Sequence, residues 1–453
     1  MKLKQKSGTT DMTVGVEWKQ ILLFAVPVLF GNIFQQLYNT ADSLIVGNLL
    51  GSNALAAVSS SGSLLEMMIG FFNGMAMGAG IVIARYFGAK DKEQLHLAIH
   101  TDIAFSLLFG VCLSIVGVLL SPILLRLMGT PEEMFAEASS YFRIYFSGMV
   151  LVAMYNTFVG IMQSMGDSRY PVFCLVIASI LNVILDFLFV GVFHWGVGAA
   201  ALATVLSQGF SAVLCFIRLM NYEEGLRIVP RDIRIHRDLL KQIVGYGLPS
   251  GIGNSITSLG NVIMQTNINQ FGVYAVAGCG VYSKIDGFTF LPITCFSMAL
   301  ATFVGQNLGA GKKDRVKTAI RFALPCGIVL AECMGVLIYA TAPVLVGLFN
   351  DNPEVIYYGV LKARTQAPFF YALAATHCMA AVLRGSGKTF GSTMIFMISW
   401  CFIRISVVTI MMHFIHSIQV VNWTYPLTWH ISMFLSILYM KKSDWIHGFD
   451  KKP

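Results

Sequence analysis

The sequence predicts an all-α polytopic membrane protein with twelve transmembrane helices in two six-helix lobes. Three observations support this class: an apolar composition, about twelve long apolar runs, and two halves that repeat each other. The 453 residues are 56% hydrophobic and only 12% charged, and the mean hydropathy is +0.70. This composition is more apolar than that of a typical soluble protein. A bilayer core about 30 Å thick requires roughly 20 apolar residues per helix.

Each apolar run lies between polar breaks and is long enough to cross the bilayer once. The predicted spans, numbered 1 to 12 in chain order, are 18–46, 55–84, 97–122, 135–161, 171–192, 197–218, 242–269, 275–304, 318–346, 354–382, 390–413 and 420–440. The first run continues past the length of a signal-peptide core, so it is predicted to be span 1 and not a cleaved leader.

Lys and Arg concentrate in alternate loops, which indicates the orientation of the chain. Of the 31 basic residues, 25 lie in the N-terminal segment, in the loops after even-numbered spans and in the C-terminal tail, whereas the opposite loops contain only Arg126. Cytoplasmic loops carry the positive excess, so both termini are predicted to be cytoplasmic, most simply in a bacterial cell membrane. The same asymmetry and attraction to membrane lipid explain the net charge of +8, so no nucleic-acid partner is predicted. We expect a monomer.

The two halves of the chain align at an offset of 221 or 222 residues. "VPVLFGNIFQQLYN" (26–39) matches "LPSGIGNSITSLGN" (248–261), and "RYFGAKDKEQLHLAI" (85–99) matches "QNLGAGKKDRVKTAI" (306–320). Six spans per half is an even number, so both halves enter the membrane from the same side. The repeat is therefore predicted to have a pseudo-two-fold axis along the membrane normal, with a binding cleft between the lobes.

The longest charged cytoplasmic stretch separates the two repeats and is predicted to be a linker. The predicted organisation is an N-terminal lobe at 1–230, a linker at 231–241 and a C-terminal lobe at 242–453.

Polar side chains recur on one face of several spans in the first half. The spacing i, i+3, i+4, i+7 places one stripe on span 1, consisting of Gln35, Tyr38, Asn39 and Asp42. The other polar positions are Ser179, Asn182 and Asp186 on span 5, Ala200, Thr204 and Gln208 on span 6, and Asn156 on span 4. A charge inside the bilayer usually faces a bundle interior or water, so Asp42 and Asp186 are functional candidates.

Convergence of these faces would make a site lined by oxygen atoms. Such a site suits a hard monovalent cation such as Na+, or a proton held by a carboxylate. The alternative is that Asn156, Ser179 and Thr204 only bond helices to one another, as polar side chains often do in membranes.

The second half does not repeat the acids. Asp42 aligns with Met264 or Gln265, and Asp186 aligns near Val407 or Val408. The roles of three other acids in spans, Glu66, Asp286 and Glu332, stay open, although Lys284 near Asp286 makes an ion pair possible. Three arginines in spans, Arg143, Arg364 and Arg404, are expected to reach helix ends or to cap carbonyl groups.

No enzyme signature is present, and no cofactor is predicted. "GSGKT" (385–389) resembles the end of a phosphate-binding loop, but it lacks the first glycine of that motif and follows a membrane helix. The nine cysteines show no metal-type spacing and are predicted to be small buried side chains.

Several motifs together resemble the multidrug and toxic compound extrusion (MATE) family. The resemblance covers about residues 15–440 and rests on "PVLFGNIFQQLYNTADSLIVGNLLG", "RYFGAKD", "MQSMGDSRYP", "LNVILDFLFVGV" with "GVGAAALATVLSQ", and a weaker "VLRGSGKT". It implies a two-lobed antiporter that uses inward Na+ or H+ flow as its coupling reaction to expel amphipathic, often cationic, compounds.

The resemblance also implies roles for individual residues. The implied cation site consists of Asp42, Asn182, Asp186 and Thr204, supported by the Ala200 backbone and Asn156. The implied or candidate substrate contacts are Gln35, Tyr38, Asn39, Ser179, Gln208, Asn261 and Gln265. Where some relatives carry acids in spans 7 and 10, this sequence has Asn261, Gln265 and His377, so an ion site in the C-terminal lobe is not expected.

Two other functions are weighed beside this one. A flippase for lipid-linked saccharides belongs to the same broad superfamily, but it commonly needs a more cationic cavity for phosphate groups. A channel without coupled transport is disfavoured by the repeat.

Overall fold

The chain is almost entirely helical in the residues that the structure describes. The structure, a computed structural model, describes residues 9–449 except 51 and 128–131, and it does not describe the side chains of 41–44, 46–50, 52–67, 127, 133 and 134.

The α-helices in the first half of the chain are α1 (Glu17–Leu50), α2 (Ser52–Ala89), α3 (Lys92–Leu127), α4 (Glu132–Ser147), α5 (Met149–Ser164), α6 (Arg169–Asp186) and α7 (Val197–Met220). Those in the second half are α8 (Arg237–Asn269), α9 (Val273–Gly309), α10 (Lys313–Gly347), α11 (Pro353–Gln366), α12 (Phe370–Gly385), α13 (Thr389–Phe396), α14 (Arg404–Phe414) and α15 (Ile418–Lys442).

These helices form the twelve predicted spans. Nine spans in the described residues are long and apolar enough to cross a membrane, and α4 with α5 makes a tenth that bends by 49°. The remaining two, α8 and α15, are more polar, but they have 33 and 25 residues and are therefore long enough. The all-α, twelve-span, two-lobed fold class is confirmed.

Spans 4 and 10 break at equivalent places of the repeat. Span 4 bends at Gly148, and the repeat offset of 221 residues brings Gly148 onto Phe369, which ends a 3-10 turn at Ala367–Phe369 inside span 10. Pro368 explains the second break because its ring removes a backbone donor and clashes with the preceding turn. Spans 5 and 11 each contain a π-helical segment, at Phe187–Val192 and Met397–Ile403, but the offset of 221 residues does not bring one onto the other. The matching breaks in spans 4 and 10 make the internal repeat structural as well as sequential.

The break in span 10 also explains why an acidic residue, Glu332, lies within span 9. Its Oε2 accepts a hydrogen bond from the Tyr371 backbone N–H at 3.2 Å, in the first turn of α12. A carboxylate there satisfies a free amide and complements the positive end of the helix dipole. Glu332 therefore has a structural role.

The chain divides into two compact units whose limits differ from those of the predicted lobes. Unit 1 comprises residues 1–11 and 30–247, and unit 2 comprises 12–29 and 248–453. Thus α1 belongs to unit 2 up to Leu29 and to unit 1 from Phe30, and α8 belongs to unit 1 up to Gly247 and to unit 2 afterwards. Both changes of unit occur within two or three residues of the repeat prolines Pro27 and Pro249.

Contacts near the ends of spans 2 and 8 explain this membership. In unit 2, the Met12 amide donates to Gln306 Oε1 at 3.0 Å, and Arg315 pairs with Glu17 at 3.1 Å. In unit 1, a Cβ on Gly78 would lie 2.3 Å from the Gly247 nitrogen, so α2 and the start of α8 touch backbone to backbone. These contacts hold the first part of α1 in unit 2 and the first part of α8 in unit 1.

Candidate cation site

The candidate site in unit 1 is built on α6 and α7, which pack side by side. Ser211 Oγ on α7 donates to the Cys174 carbonyl oxygen on α6 at 2.9 Å. Cys174 and Ser211 are both fully buried. Alanines at 199, 200, 201 and 203 allow the two helices to approach closely, because small side chains remove the steric barrier between membrane helices. This close packing brings the polar faces of spans 5 and 6 together.

A chain of hydrogen bonds joins three of the residues predicted for the cation site. Asn182 Nδ2 on α6 donates to Thr204 Oγ1 on α7 at 3.4 Å. The Thr204 hydroxyl in turn donates to the Ala200 carbonyl oxygen at 3.1 Å. Asn182 is 1% exposed, and its Oδ1 accepts no hydrogen bond from the residues that the structure describes. A buried acceptor without a donor costs free energy unless something else binds it, and a cation is one such ligand.

Asp186 lies one helical turn beyond Asn182, on the same face of α6. Its side chain has no solvent exposure. It is the last residue of α6, and the π-helical segment Phe187–Val192 follows it directly. Single wide turns of this kind are frequent at functional sites because they redirect side chains and loosen the backbone pattern. The Asp186 carboxylate therefore lies in the protein interior, and its role at a cation site stays a prediction.

Gln208 extends the polar face of α7 by one turn beyond Thr204. Its Oε1 is buried and has no hydrogen-bond donor among the described side chains and backbone. The face around Thr204 thus offers two amide oxygens, from Asn182 and Gln208, that the described protein does not satisfy.

Asn156 and Ser179 are less closely connected to this cluster. Asn156 Nδ2 donates to the Val152 carbonyl oxygen at 2.8 Å, within α5. Ser179 Oγ donates to the Leu175 carbonyl oxygen at 2.8 Å, within α6. Both side chains are therefore bonded to their own helices in the described residues, whereas the alternative interpretation expects them to bond one helix to another. Asn156 keeps its amide oxygen for other ligands, since only its nitrogen is used in this bond.

Helix α1 packs against α6 next to the site. A Cβ on Gly31 would lie 2.9 Å from Val172 Cγ2, so α1 and α6 approach closely there. Gln35 and Tyr38 are half-buried on α1, one and two turns after Gly31, and Asn39 is exposed. The side chains of Asp42 and Glu66 lie outside the described residues, so their predicted roles stay predictions.

The polar residues predicted in span 7 and span 10 belong to unit 2. Asn261 and Gln265 are exposed on α8, and Gln265 Nε2 donates to Asn269 Oδ1 at 2.9 Å on the same helix. His377 lies within a set of aromatic rings, with centroid distances of 5.0 Å to Phe290, 5.3 Å to Phe396 and 5.6 Å to Trp400.

The charged groups of unit 2 differ from the sequence-based expectations. Lys284 is exposed and points away from Asp286, because residues two apart on a helix do not face each other. The cation that interacts electrostatically with Asp286 is Lys362, which is 5% exposed. Lys362 was not among the predicted site residues, although a lysine within span 10 is a charge inside the membrane and could have been found from the sequence.

The three intramembrane arginines also lie in different environments, and Arg143 is exposed on α4. Arg364 Nε donates to the Tyr339 carbonyl oxygen at 3.4 Å, which confirms carbonyl capping. Arg404 is 2% exposed, donates to Thr428 Oγ1 from Nε and Nη2 at 3.2 and 2.9 Å, and lies over the Tyr425 ring. The expectation that Arg404 reaches a helix end is therefore wrong, because the hydroxyl and the ring hold it inside the unit.

The chemistry of the unit 1 cluster follows from its atoms. The available ligands are oxygens: the Asp186 carboxylate, the Asn182 and Gln208 amides, the Thr204 hydroxyl and the Ala200 carbonyl. Oxygen ligands suit hard cations such as Na+ and do not select soft transition metals. One carboxylate with neutral oxygens also matches the single charge of Na+ or of a proton.

Twelve spans, an internal repeat and a buried oxygen cluster in the membrane define a polytopic transporter. A family model for MatE matches residues 27–188 and 249–410, which is more than half of the chain. The chain belongs to the MATE family of efflux transporters, as the resemblance implied.

Relatives of the chain carry names that agree with this family. It is 27% identical over 426 residues to the probable multidrug resistance protein YoeA of Bacillus subtilis, covering 92% of each chain. It is 26% identical over 405 residues to the probable multidrug resistance protein NorM of Thermotoga maritima, covering 87% of this chain and 86% of the relative. These relatives are membrane transporters and not enzymes.

Solved structures support the fold. A MATE transporter in complex with MaL6 has a TM-score of 0.89 at 24% identity, covering 96% of this chain and 98% of that chain. A MOP superfamily transporter from Pyrococcus furiosus has a TM-score of 0.91 at 23% identity, covering 100% of each chain; the reversed polarity of its binding pocket is reported to suggest a different function. Identities this low support the fold and nothing more specific.

Proposed function

We propose that this transporter is a cation-coupled antiporter that exports amphipathic, often cationic, compounds by alternating access. The single observation that carries the proposal is the buried cluster in unit 1, where Asn182, Thr204 and Ala200 are hydrogen-bonded and Asn182 Oδ1 has no donor in the described residues. The names of the relatives, multidrug resistance proteins, support the class of cargo.

The coupling ion is proposed to be Na+ or H+, bound by Asp42, Asp186, Asn182 and Thr204 with the Ala200 carbonyl and Asn156 in support. One charge that moves down 100 mV releases about 2.3 kcal/mol, which corresponds to roughly fifty-fold accumulation per ion. The ion can drive export only if its affinity differs between the two access states or if it competes with cargo.

Cargo is proposed to contact Gln35, Tyr38, Asn39, Ser179 and Gln208. Asn261 and Gln265 are proposed as further cargo contacts. Amide, hydroxyl and aromatic side chains suit an amphipathic organic cation, because they offer neutral acceptors and ring faces without a positive charge to repel it.

The decisive experiment uses proteoliposomes loaded with a fluorescent organic cation, with Na+ and pH gradients imposed separately. Thr204→Val is the test variant, since it removes the hydroxyl that connects α6 to α7 and keeps the side-chain shape. Ser207→Ala is the matched control, because Ser207 Oγ also bonds carbonyl oxygens of α7, at 2.8 and 3.0 Å, and bonds no other helix among the described residues.

Wild type and Ser207→Ala are expected to extrude the dye with one of the two gradients, and Thr204→Val is expected to lose most of that gradient-dependent rate. Efflux that is equally fast without any gradient, or a Thr204→Val variant that equals wild type, would contradict the proposal. Asp42→Asn vesicles test the proposed role of that carboxylate in the same assay.

A flippase for lipid-linked saccharides is the second candidate. The observation that favours it is the pair of buried basic side chains in unit 2, Lys362 and Arg404, because phosphate-bearing cargo needs positive charge. Movement of a fluorescent lipid-linked saccharide between leaflets, without any gradient-driven dye efflux, would favour the flippase.

The membrane orientation is part of the proposal. Both termini are proposed to be cytoplasmic, in a bacterial cell membrane, on the evidence of the basic loops. A C-terminal fluorescent protein that folds only in the cytoplasm is expected to be bright, and a periplasmic reporter at the same place is expected to be inactive.

A further inference from the structure

A cluster of two histidines and one aspartate lies at the start of α3, apart from the cation site. His96 and His100 are four residues apart on α3 and therefore share one face. Asp232 reaches them from the short 3-10 turn Pro230–Asp232, which follows α7. One ligand atom from each of these three residues lies within 4.8 Å of the other two. The two imidazole rings are 4.0 Å apart between centroids.

The distance between His96 and Asp232 fits a shared metal ion. His96 Nε2 lies 3.1 Å from Asp232 Oδ2, and its N–H donates to the carboxylate. Two ligand atoms that bind the same tetrahedral ion at about 2.0–2.1 Å are roughly 3.3 Å apart. An ion could therefore take the place of the shared proton with almost no movement of these two side chains.

His100 would be the remaining ligand of the ion. The hydrogen bonds of its imidazole determine the free energy that metal binding would cost. Its Nδ1 donates to the His96 carbonyl oxygen at 2.6 Å, and its Nε2 accepts from the Val229 amide at 2.9 Å. These bonds keep the imidazole neutral, which is the form that binds metals. Turning Nε2 to an ion would give up the Val229 bond, worth about 1 kcal/mol, and would keep the bond from Nδ1 that orients the ring.

The surroundings of the cluster allow an ion to enter and favour positive charge. A cavity of about 390 Å³ opens beside His96 and Asp232. Its charged lining consists of three carboxylates, Glu93, Glu224 and Asp232, and two basic side chains, Lys92 and Arg227. Glu93 lies three residues before His96, on the same face of α3, and is exposed. It can supply an oxygen atom as the fourth ligand, and water can do the same.

We propose that His96, His100 and Asp232 form a binding site for a divalent transition-metal ion of the Zn2+ class. Two imidazoles and a carboxylate are the ligands that Zn2+ takes in tetrahedral protein sites with an open position. The ion would join α3 to the segment that leads into α8, so it would fix the start of the linker within unit 1. This site does not depend on the identity of the coupling ion or of the cargo.

The test uses the full-length protein, purified in detergent with a tag that contains no histidine and is then removed. Zn2+ affinity is measured by competition with a chromophoric chelator at pH 7.5, and Co2+ absorption spectra report the coordination geometry. The test variants are His96→Ala and Asp232→Asn. The matched control is His447→Ala, because His447 also pairs with an aspartate, Asp444, but the pair belongs to no cluster of three ligands in the described residues.

The expected result is one Zn2+ per chain, a Co2+ spectrum typical of tetrahedral coordination, and a rise in the unfolding temperature when Zn2+ is added. His96→Ala and Asp232→Asn are expected to weaken Zn2+ binding at least about tenfold, whereas His447→Ala leaves it unchanged. Absence of Zn2+ binding by wild type, or binding by His96→Ala with the wild-type affinity, would overturn the proposal. Monodisperse elution of each variant establishes that it is folded.

Discussion

Replacement of Asn182 by leucine tests two properties of the cation site separately. One is how much the buried Asn182 oxygen destabilises the fold, and the other is whether Asn182 binds the coupling ion. In the described residues Asn182 makes one side-chain hydrogen bond, to Thr204 at 3.4 Å, and leaves Oδ1 buried without a donor. That bond is longer than the usual limit of about 3.2 Å and contributes at most about 1 kcal/mol. The unsatisfied acceptor costs about 1–3 kcal/mol. Asn182→Leu therefore removes a larger penalty than the bond it loses.

The expected result is an increase of about 1 kcal/mol in the free energy of unfolding, measured without the coupling ion. When the coupling ion is present, wild type is expected to have the higher free energy of unfolding of the two. Wild type gains about 2.7 kcal/mol when the ion is present at 100 times its dissociation constant, and the variant gains nothing. Thermal unfolding in detergent, with Na+ replaced by a bulky organic cation and pH varied separately, measures both quantities.

The control for this experiment is Ser179→Ala on the same helix. In the described residues Ser179 bonds only its own helix, at 2.8 Å to the Leu175 carbonyl oxygen, so its removal is expected to leave the ion response intact. Two results would refute the reasoning: a variant Asn182→Leu that is destabilised by several kcal/mol, or one that is stabilised by the ion as strongly as wild type. The first would mean that Asn182 is a structural link, and the second that it does not bind the ion.

Three further predictions concern the fold. Gly78→Ala is expected to cost about 1–3 kcal/mol, because its Cβ would lie 2.3 Å from a backbone nitrogen, whereas Gly160→Ala, with its nearest neighbour at 4.0 Å, is expected to be neutral or stabilising in the same thermal unfolding assay. Thr428→Val is expected to cost about 2–3 kcal/mol because it leaves the buried Arg404 donors unpaired, and Arg404→Met is expected to cost less than Thr428→Val; the reverse order would contradict this account. Arg315→Ala is expected to speed proteolysis between residues 12 and 17, since Arg315 holds that segment, and unchanged cleavage rates would show that its other contacts suffice.

The positions of most spans could be predicted from the sequence because hydrophobicity and length decide them, whereas the more polar α8 and α15 were placed by their length and by the repeat. The polar stripe of Asn182 and Asp186 was also predictable, since helical periodicity places residues four apart on one face, and the contact of Asn182 with Thr204 followed once spans 5 and 6 packed together. The acids of span 1 and span 2, Asp42 and Glu66, have side chains outside the described residues.

Other features could not be predicted because they depend on tertiary packing. The cation that interacts electrostatically with Asp286 is Lys362, 76 positions away in sequence, and no local pattern connects them. The membership of α1 and α8 in both units depends on backbone contacts such as that of Gly78 with Gly247. The spacing of His96 and His100 was visible in the sequence, but Asp232 is brought close to them only by the fold of the segment between α7 and α8.

The central claim, that the chain exchanges an inward cation for an outward organic cargo, is tested most directly by measuring ion flux that cargo induces. Proteoliposomes are prepared with and without a fluorescent organic cation inside, and inward Na+ and H+ fluxes are recorded in parallel with dye efflux. We predict that one of the two ions enters only when the dye leaves, and that Thr204→Val loses both fluxes together. Ion entry that is equally fast without the dye, or dye efflux without any ion entry, would contradict the claim.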